Sequence, residues 1–114
     1  MKMKVGKKEI NAEVMGGWKK YFGYMFRKEP SFDEGILLVF DNPQKIKLWS
    51  VFVNFPLDVL FLDKRMKVKE TVSLGGWDLK GVECKKAKYV LEVKKGFCKK
   101  FKIKKGVRIS LNRC

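Results

Sequence analysis

Gly35–Asp63, GILLVFDNPQKIKLWSVFVNFPLDVLFLD, is the stretch whose reading decides the fold. Gly35 to Phe40 is an unbroken apolar run too short for a helix, hence a buried strand. Asp41-Asn42-Pro43 has turn chemistry. Ile46 to Val53 resumes as a strand, and Phe55-Pro56 interrupts pairing because proline has no N–H to donate. Leu57 to Leu62 is a further buried strand, and Asp63 to Met66 reads as a hairpin loop. Working outward, Met1–Val5, Glu9–Met15 and Lys67–Leu74 alternate apolar and polar residues, the period of a strand with one wet face. Tyr89–Val93 and Phe101–Leu111 extend the pattern, with turns at Lys94-Lys95-Gly96 and Lys104-Lys105-Gly106, and Gly75-Gly76-Trp77-Asp78 is a loop carrying an aromatic residue. The exception is Trp18–Phe26, WKKYFGYMF, where Trp18, Tyr21, Phe22, Met25 and Phe26 fall at helical spacing. One short amphipathic helix is expected near residues 17–26, its aromatic stripe in the core and Gly23 allowing close approach to a strand. Short strands with regular turn signals predict an all-β, mainly antiparallel sandwich or barrel.

The chain of 114 residues is short enough for a single domain, 1–114, and its 46% apolar content supplies a core. The formal charge of +15 predicts attraction to polyanions without naming one. Abundant lysine with one glutamine and one threonine is a thermophile-like composition. Cys84, Cys98 and Cys114 have no metal-ligand spacing, which argues against a thiolate zinc site, while a Cys84–Cys98 bridge stays open. MKMKVGKKEI lacks the apolar core of a signal peptide, and no run is long enough for a transmembrane helix, so a cytoplasmic protein is expected. Histidine is absent. That removes Ser-His and Cys-His nucleophile pairs and imidazole metal sites. No cofactor or metal motif is present, and the sequence leans away from an enzyme.

GYMFR at Gly23–Arg27, GILLVF, Trp49 followed by PLDVLFLD, AKYVLEVKKG at Ala87–Gly96 and IKKG at Ile103–Gly106 resemble, in order and spacing, the domain-of-unknown-function 192 family, also called uncharacterised protein family 0127. The resemblance spans about residues 10–110. It implies a jelly-roll-like all-β domain with a short helix, and no reaction. Relatives commonly carry a Trp-Met-Lys-Asn-Thr-like stretch; here Trp49 precedes Ser50-Val51-Phe52-Val53. Val107 likewise follows Gly106 where relatives often have Asp.

Asp58 is the sharpest single candidate, a carboxylate inside an apolar strand where an unpaired charge is costly. It is expected to serve a ligand, to accept backbone hydrogen bonds near the Pro56 turn, or to pair with Arg27. Glu92 shares a face with Val90, a candidate second site carboxylate, although base rates favour a surface position. Were Arg27, Asp58 and Glu92 to converge beside Trp49, they would form a small polar pocket of the kind that binds a carbohydrate or other small molecule. A protein partner and a carboxylate-pair enzyme are the other uses of such a site. The competing feature is the C-terminal third, where Lys99, Lys100, Lys102, Lys104 and Lys105 interleave with Phe97 and Phe101. That mixture suits non-specific nucleic-acid binding. Cys98, beside two lysines, is a candidate for a lowered thiol pKa.

Overall fold

The computed structural model describes residues 1–111. Seven strands, β1 (Lys2–Val5), β2 (Lys8–Met15), β3 (Glu34–Leu48), β4 (Leu57–Leu62), β5 (Val68–Leu74), β6 (Val82–Lys94) and β7 (Ile109–Leu111), form one sheet in the order β5-β4-β6-β3-β2-β1-β7. Every pairing is antiparallel except β2 with β3. The sheet curls until its edges meet at one end, where Lys67 bridges Arg108 and Val68 exchanges backbone hydrogen bonds with Gly106 and Val107. The all-β, mainly antiparallel expectation is met in its barrel-like form, a half-barrel of a single sheet.

Curling buries both faces of the central strands, which is why their sequences are continuously apolar rather than alternating. On β4 and β6, Val59, Phe61 and Val90 belong to one apolar cluster with Ile36, Leu38 and Phe40. Leu60, Leu62, Leu91 and Val93 belong to the other, together with Met3, Val68 and Ile109. The second cluster includes both edge strands, so it fills the concave side. Cys84 lies in the first cluster and Cys98 packs against the second. Both are free thiols, so the Cys84–Cys98 bridge does not form. Cys114 lies outside the described residues.

The parallel β2–β3 pair decides what covers the convex face. Two parallel neighbours need a long crossover, and here residues 16–33 supply it, laid across the convex face. The short helix expected near residues 17–26 is present within the crossover as a 3-10 helix, Gly17–Tyr21, but it ends before the expected amphipathic stripe is complete. Turn-type bonds follow, from the N–H of Phe22 to Lys19, of Met25 to Phe22 and of Arg27 to Tyr24. Gly17, Gly23 and Phe26 have positive φ. An i to i+3 chain broken by left-handed residues cannot keep a 3.6-residue stripe on one side. Trp18, Tyr21, Phe22 and Phe26 are consequently exposed, and Tyr24 is the ring that enters the core. The expectation of a buried aromatic stripe is overturned.

Other boundaries move for local reasons. Asp41-Asn42-Pro43 does not end a strand; β3 runs through it with register shifts between Val39 and Ile46, the bulges by which a strand absorbs residues that cannot pair. β3 stops at Leu48, leaving 49–56 as a loop. The expected strand from Phe101 is replaced by a one-turn helix, α1 (Phe97–Phe101), ahead of the short β7.

Candidate functional site

Between the crossover, β3 and the 49–53 loop lies a cavity of about 300 Å³. Tyr21, Phe22 and Trp49 supply rings, Lys20 and Lys47 supply cations, and Leu38, Phe40 and Val53 continue the convex core into its wall. Glu92 comes up from β6 on the sheet side. Strand alternation put it on Val90's face, and it is there, paired across to Ile36 on β3 and Val59 on β4. The surface position favoured by base rates is wrong, because the crossover covers it and leaves Glu92 6% exposed.

Glu92 Oε1 is buried with no hydrogen-bond partner. Such an atom is expensive, since it has lost water without replacement. Burial raises the carboxyl from its ordinary 4.5 to about 7. The group can therefore exchange its proton near neutrality, acting as donor in one state and acceptor in the other. Gly23 makes this approach possible. A Cβ there would stand 2.4 Å from Oε1, so the close contact with a strand expected of Gly23 is present, and the strand residue is Glu92. Tyr24 next to it has its hydroxyl pKa pushed up by burial and by the charge of Glu92. Lys20 is buried alongside, its Nζ 5.0 Å from the centre of the Phe40 ring and 5.1 Å from that of Tyr21. Lys47 Nζ sits 5.9 Å from the Trp49 ring.

The structure brings Trp49 and Glu92 together and places Arg27 and Asp58 elsewhere. Arg27, at the end of the crossover, reaches β2 and binds Glu13 in bidentate fashion at 2.6 and 3.1 Å. That contact holds Glu13 below and Arg27 above their ordinary pKa values. Arg27 is not the partner of Asp58, which faces the opposite side of the sheet. Asp58 Oδ2 accepts the N–H groups of Gly96 and Cys98 at 3.2 and 3.0 Å, holding the turn from β6 into α1. Lys95 Nζ lies 3.8 Å from Oδ1. Sequence reasoning allowed Asp58 to accept backbone bonds, but the donors come from 38 and 40 residues away rather than from the Pro56 turn.

Cys98 is also unlike its expectation. Burial, then the charge of Asp58, pushes its thiol up to about 12. Lys99, Lys100 and Lys102 lie on or next to α1, and Lys104 and Lys105 on the connection to β7. The rings among them are occupied. Phe97 is fully buried, and Phe101 packs edge-on against Phe32 with Lys100 over the Phe32 ring at 4.4 Å. Among the described residues, no cluster of three metal-ligating side chains occurs, and no helix is long and apolar enough to cross a membrane.

Lys20, Tyr21, Phe22 and Gly23 line the cavity, and sequence reading did not single them out as candidates. The signal was available in the glycine lodged within an aromatic and basic run. A second missed feature adjoins the cavity. Phe26 stacks on Phe52 with ring centres 4.6 Å apart, and Phe52 meets Trp77 edge-on at 4.9 Å. Buried Ser50 ties the two loops by donating to the Gly75 carbonyl and accepting from the Asp78 N–H at 2.7 Å.

Two solved structures share the fold. One, from Sinorhizobium meliloti 1021 and provisionally assigned as a transcription regulator, is 19% identical, with 96% of this chain and 89% of the other covered at a TM-score of 0.89. The second, a protein of unknown function from Novosphingobium aromaticivorans DSM 12444, is 20% identical over 96% of this chain and 84% of its own, again at 0.89. Nothing among curated proteins matches the chain. The profile of DUF192, described as an uncharacterized ACR, matches residues 1–111, the whole of the described structure. The chain belongs to the DUF192 family.

Proposed function

We propose that this domain binds a small polyhydroxylated ligand, a carbohydrate by chemistry, in the cavity between Trp49 and Glu92. The observation that carries the reading is Glu92, which lines this ring-walled cavity while its Oε1 stays buried and partnerless in the space that a side chain at Gly23 would fill. A carboxyl that can exchange its proton near neutrality suits hydroxyl groups, which both give and accept hydrogen bonds. The apolar face of a sugar suits the exposed Trp49 ring. Lys20 and Lys47 disfavour a cationic ligand, and Glu92, when ionised, disfavours an anionic one. The volume lies at the small end of ligand pockets, appropriate to one or two rings. Glu92 is the one acid lining this cavity among the described residues, which gives no support to a carboxylate-pair enzyme.

Isothermal titration with a panel of mono- and disaccharides tests the proposal. Trp49 is largely exposed, so Trp49→Ala leaves the fold intact and should abolish binding, while Arg27→Ala should not. Binding unchanged in Trp49→Ala would overturn it. So would stabilisation by oligonucleotides alone, lost in salt and on charge reversal at Lys99, Lys100 and Lys102, which would move the function to the lysine face.

A further inference from the structure

All three tryptophans of the chain are exposed, Trp18 by 68%, Trp49 by 62% and Trp77 by 51%. Tryptophan in a soluble domain is normally buried in the main. Here the three sit on three separate segments, and two of them, Trp18 and Trp77, belong to two distinct groups of touching rings. Trp18 meets Phe22 edge-on, Phe22 and Trp49 line the same cavity, and Phe26, Phe52 and Trp77 form one ladder. Contiguous exposed apolar surface marks a place of interaction.

The backbone beneath the ladder is built for exposure. Phe26, Phe52 and Trp77 have φ of 63, 62 and 54°, a left-handed conformation that strains bulky residues. It is fixed by hydrogen bonds from the Phe26 N–H to Phe52 O at 3.0 Å and from the Trp77 N–H to Ser50 O and Val53 O at 3.1 Å. Strain is thus spent on rings that remain largely in water.

Charge chooses the occupant. Lys19, Lys28, Lys47 and Lys80 are exposed on the same segments. The nearby acids are already engaged: Glu13 with Arg27, Glu29 with Lys94, and Asp78 Oδ1 with the N–H groups of Lys80 and Gly81. A protein partner would need matched acids and a complementary shape. A fluid anionic surface needs only rings that settle at its interface and cations that meet its headgroups. We infer that the Phe26–Phe52–Trp77 ladder and Trp18, with their flanking lysines, dock this domain on an anionic lipid surface.

Co-sedimentation of the full chain with phosphatidylcholine–phosphatidylserine vesicles, against phosphatidylcholine alone, tests this. The tryptophan emission should be that of water-exposed indole in solution and shift to the blue on the mixed vesicles only. The double variant F26G/W77G keeps its fold, because glycine accepts the left-handed backbone without strain; circular dichroism checks that. Its vesicle affinity should fall at least tenfold, and Lys19→Glu with Lys28→Glu should weaken binding further. Undiminished binding by F26G/W77G, binding without a blue shift, or loss only on reversal of Lys99, Lys100 and Lys102 would each overturn the inference. Self-association removed by F26G/W77G, with no vesicle binding by the wild type, would assign the surface to a second copy instead and equally overturn it.

Discussion

Replacing Glu92 by Gln removes one proton site and almost nothing else, so it isolates the cost of burying this carboxyl. In the unfolded chain the group titrates at its ordinary 4.5, and in the fold it holds its proton to about 7 because burial disfavours the charge. Between those values the folded state binds more protons, so stability falls as pH rises. The contribution is fully present below pH 4.5 and lost once pH has passed about 7. A pKa difference of this size corresponds to about 3 kcal/mol, a large share of the roughly 5–15 kcal/mol that holds a domain together. Denaturant unfolding of wild type and Glu92→Gln across this range is the assay. The surface carboxylates held low by their partners, Glu13 and Asp33, act in the opposite sense but equally in both proteins, and cancel in the difference. Relative to wild type, the variant should gain about 3 kcal/mol on going from acid to mildly alkaline pH, seen thermally as a shift of roughly 10 °C or more. A difference that stays flat with pH would show Glu92 to be hydrated. One of opposite sign would show it to be paired with a cation. Either result would refute the reasoning.

Asp58→Ala should cost about 1–3 kcal/mol, because it strips the acceptor from the Gly96 and Cys98 N–H groups at the start of α1; chemical denaturation measures it. Asp58→Asn should lower the Cys98 thiol pKa by removing the adjacent negative charge, and faster alkylation of Cys98 in a background lacking Cys84 and Cys114 would report it. Gly81→Ala should destabilise by more than about 2 kcal/mol, since φ is +74° and the new Cβ would stand 2.1 Å from the Leu48 carbonyl oxygen. Arg27→Ala should cost under about 1 kcal/mol despite its bidentate geometry, because both partners are half exposed; a larger loss in thermal unfolding would give Arg27 a structural role beyond the Glu13 pair.

The fold was legible where local pattern and burial agree. The apolar runs at Ile36–Phe40 and Leu57–Leu62 are strands because one curled sheet covers both their faces, and alternation correctly put Glu92 beside Val90. What alternation cannot carry is what lies on top of a face. Whether Glu92 meets water or the crossover depends on the parallel pairing of β2 and β3, a long-range choice with no local mark. The same limit hid the role of Asp58, whose donors lie on a turn far along the chain. The aromatic stripe at Trp18–Phe26 was misread for a different reason. Its helical spacing has meaning only if the segment is helical, and left-handed residues at Gly17, Gly23 and Phe26 break it into turns. The helix α1 escaped notice because one basic turn, capped at both ends by left-handed backbone at Gly96 and Lys102, has no periodicity to read.

Amide chemical-shift mapping of the wild-type domain, titrated with the saccharide panel at low and moderate salt, tests the central claim most directly. Binding in the Glu92 cavity predicts salt-resistant shifts confined to residues 20–25, 47–53 and 92. Shifts confined to residues 96–105 and erased by salt, or no saccharide perturbing the cavity at all, would contradict it.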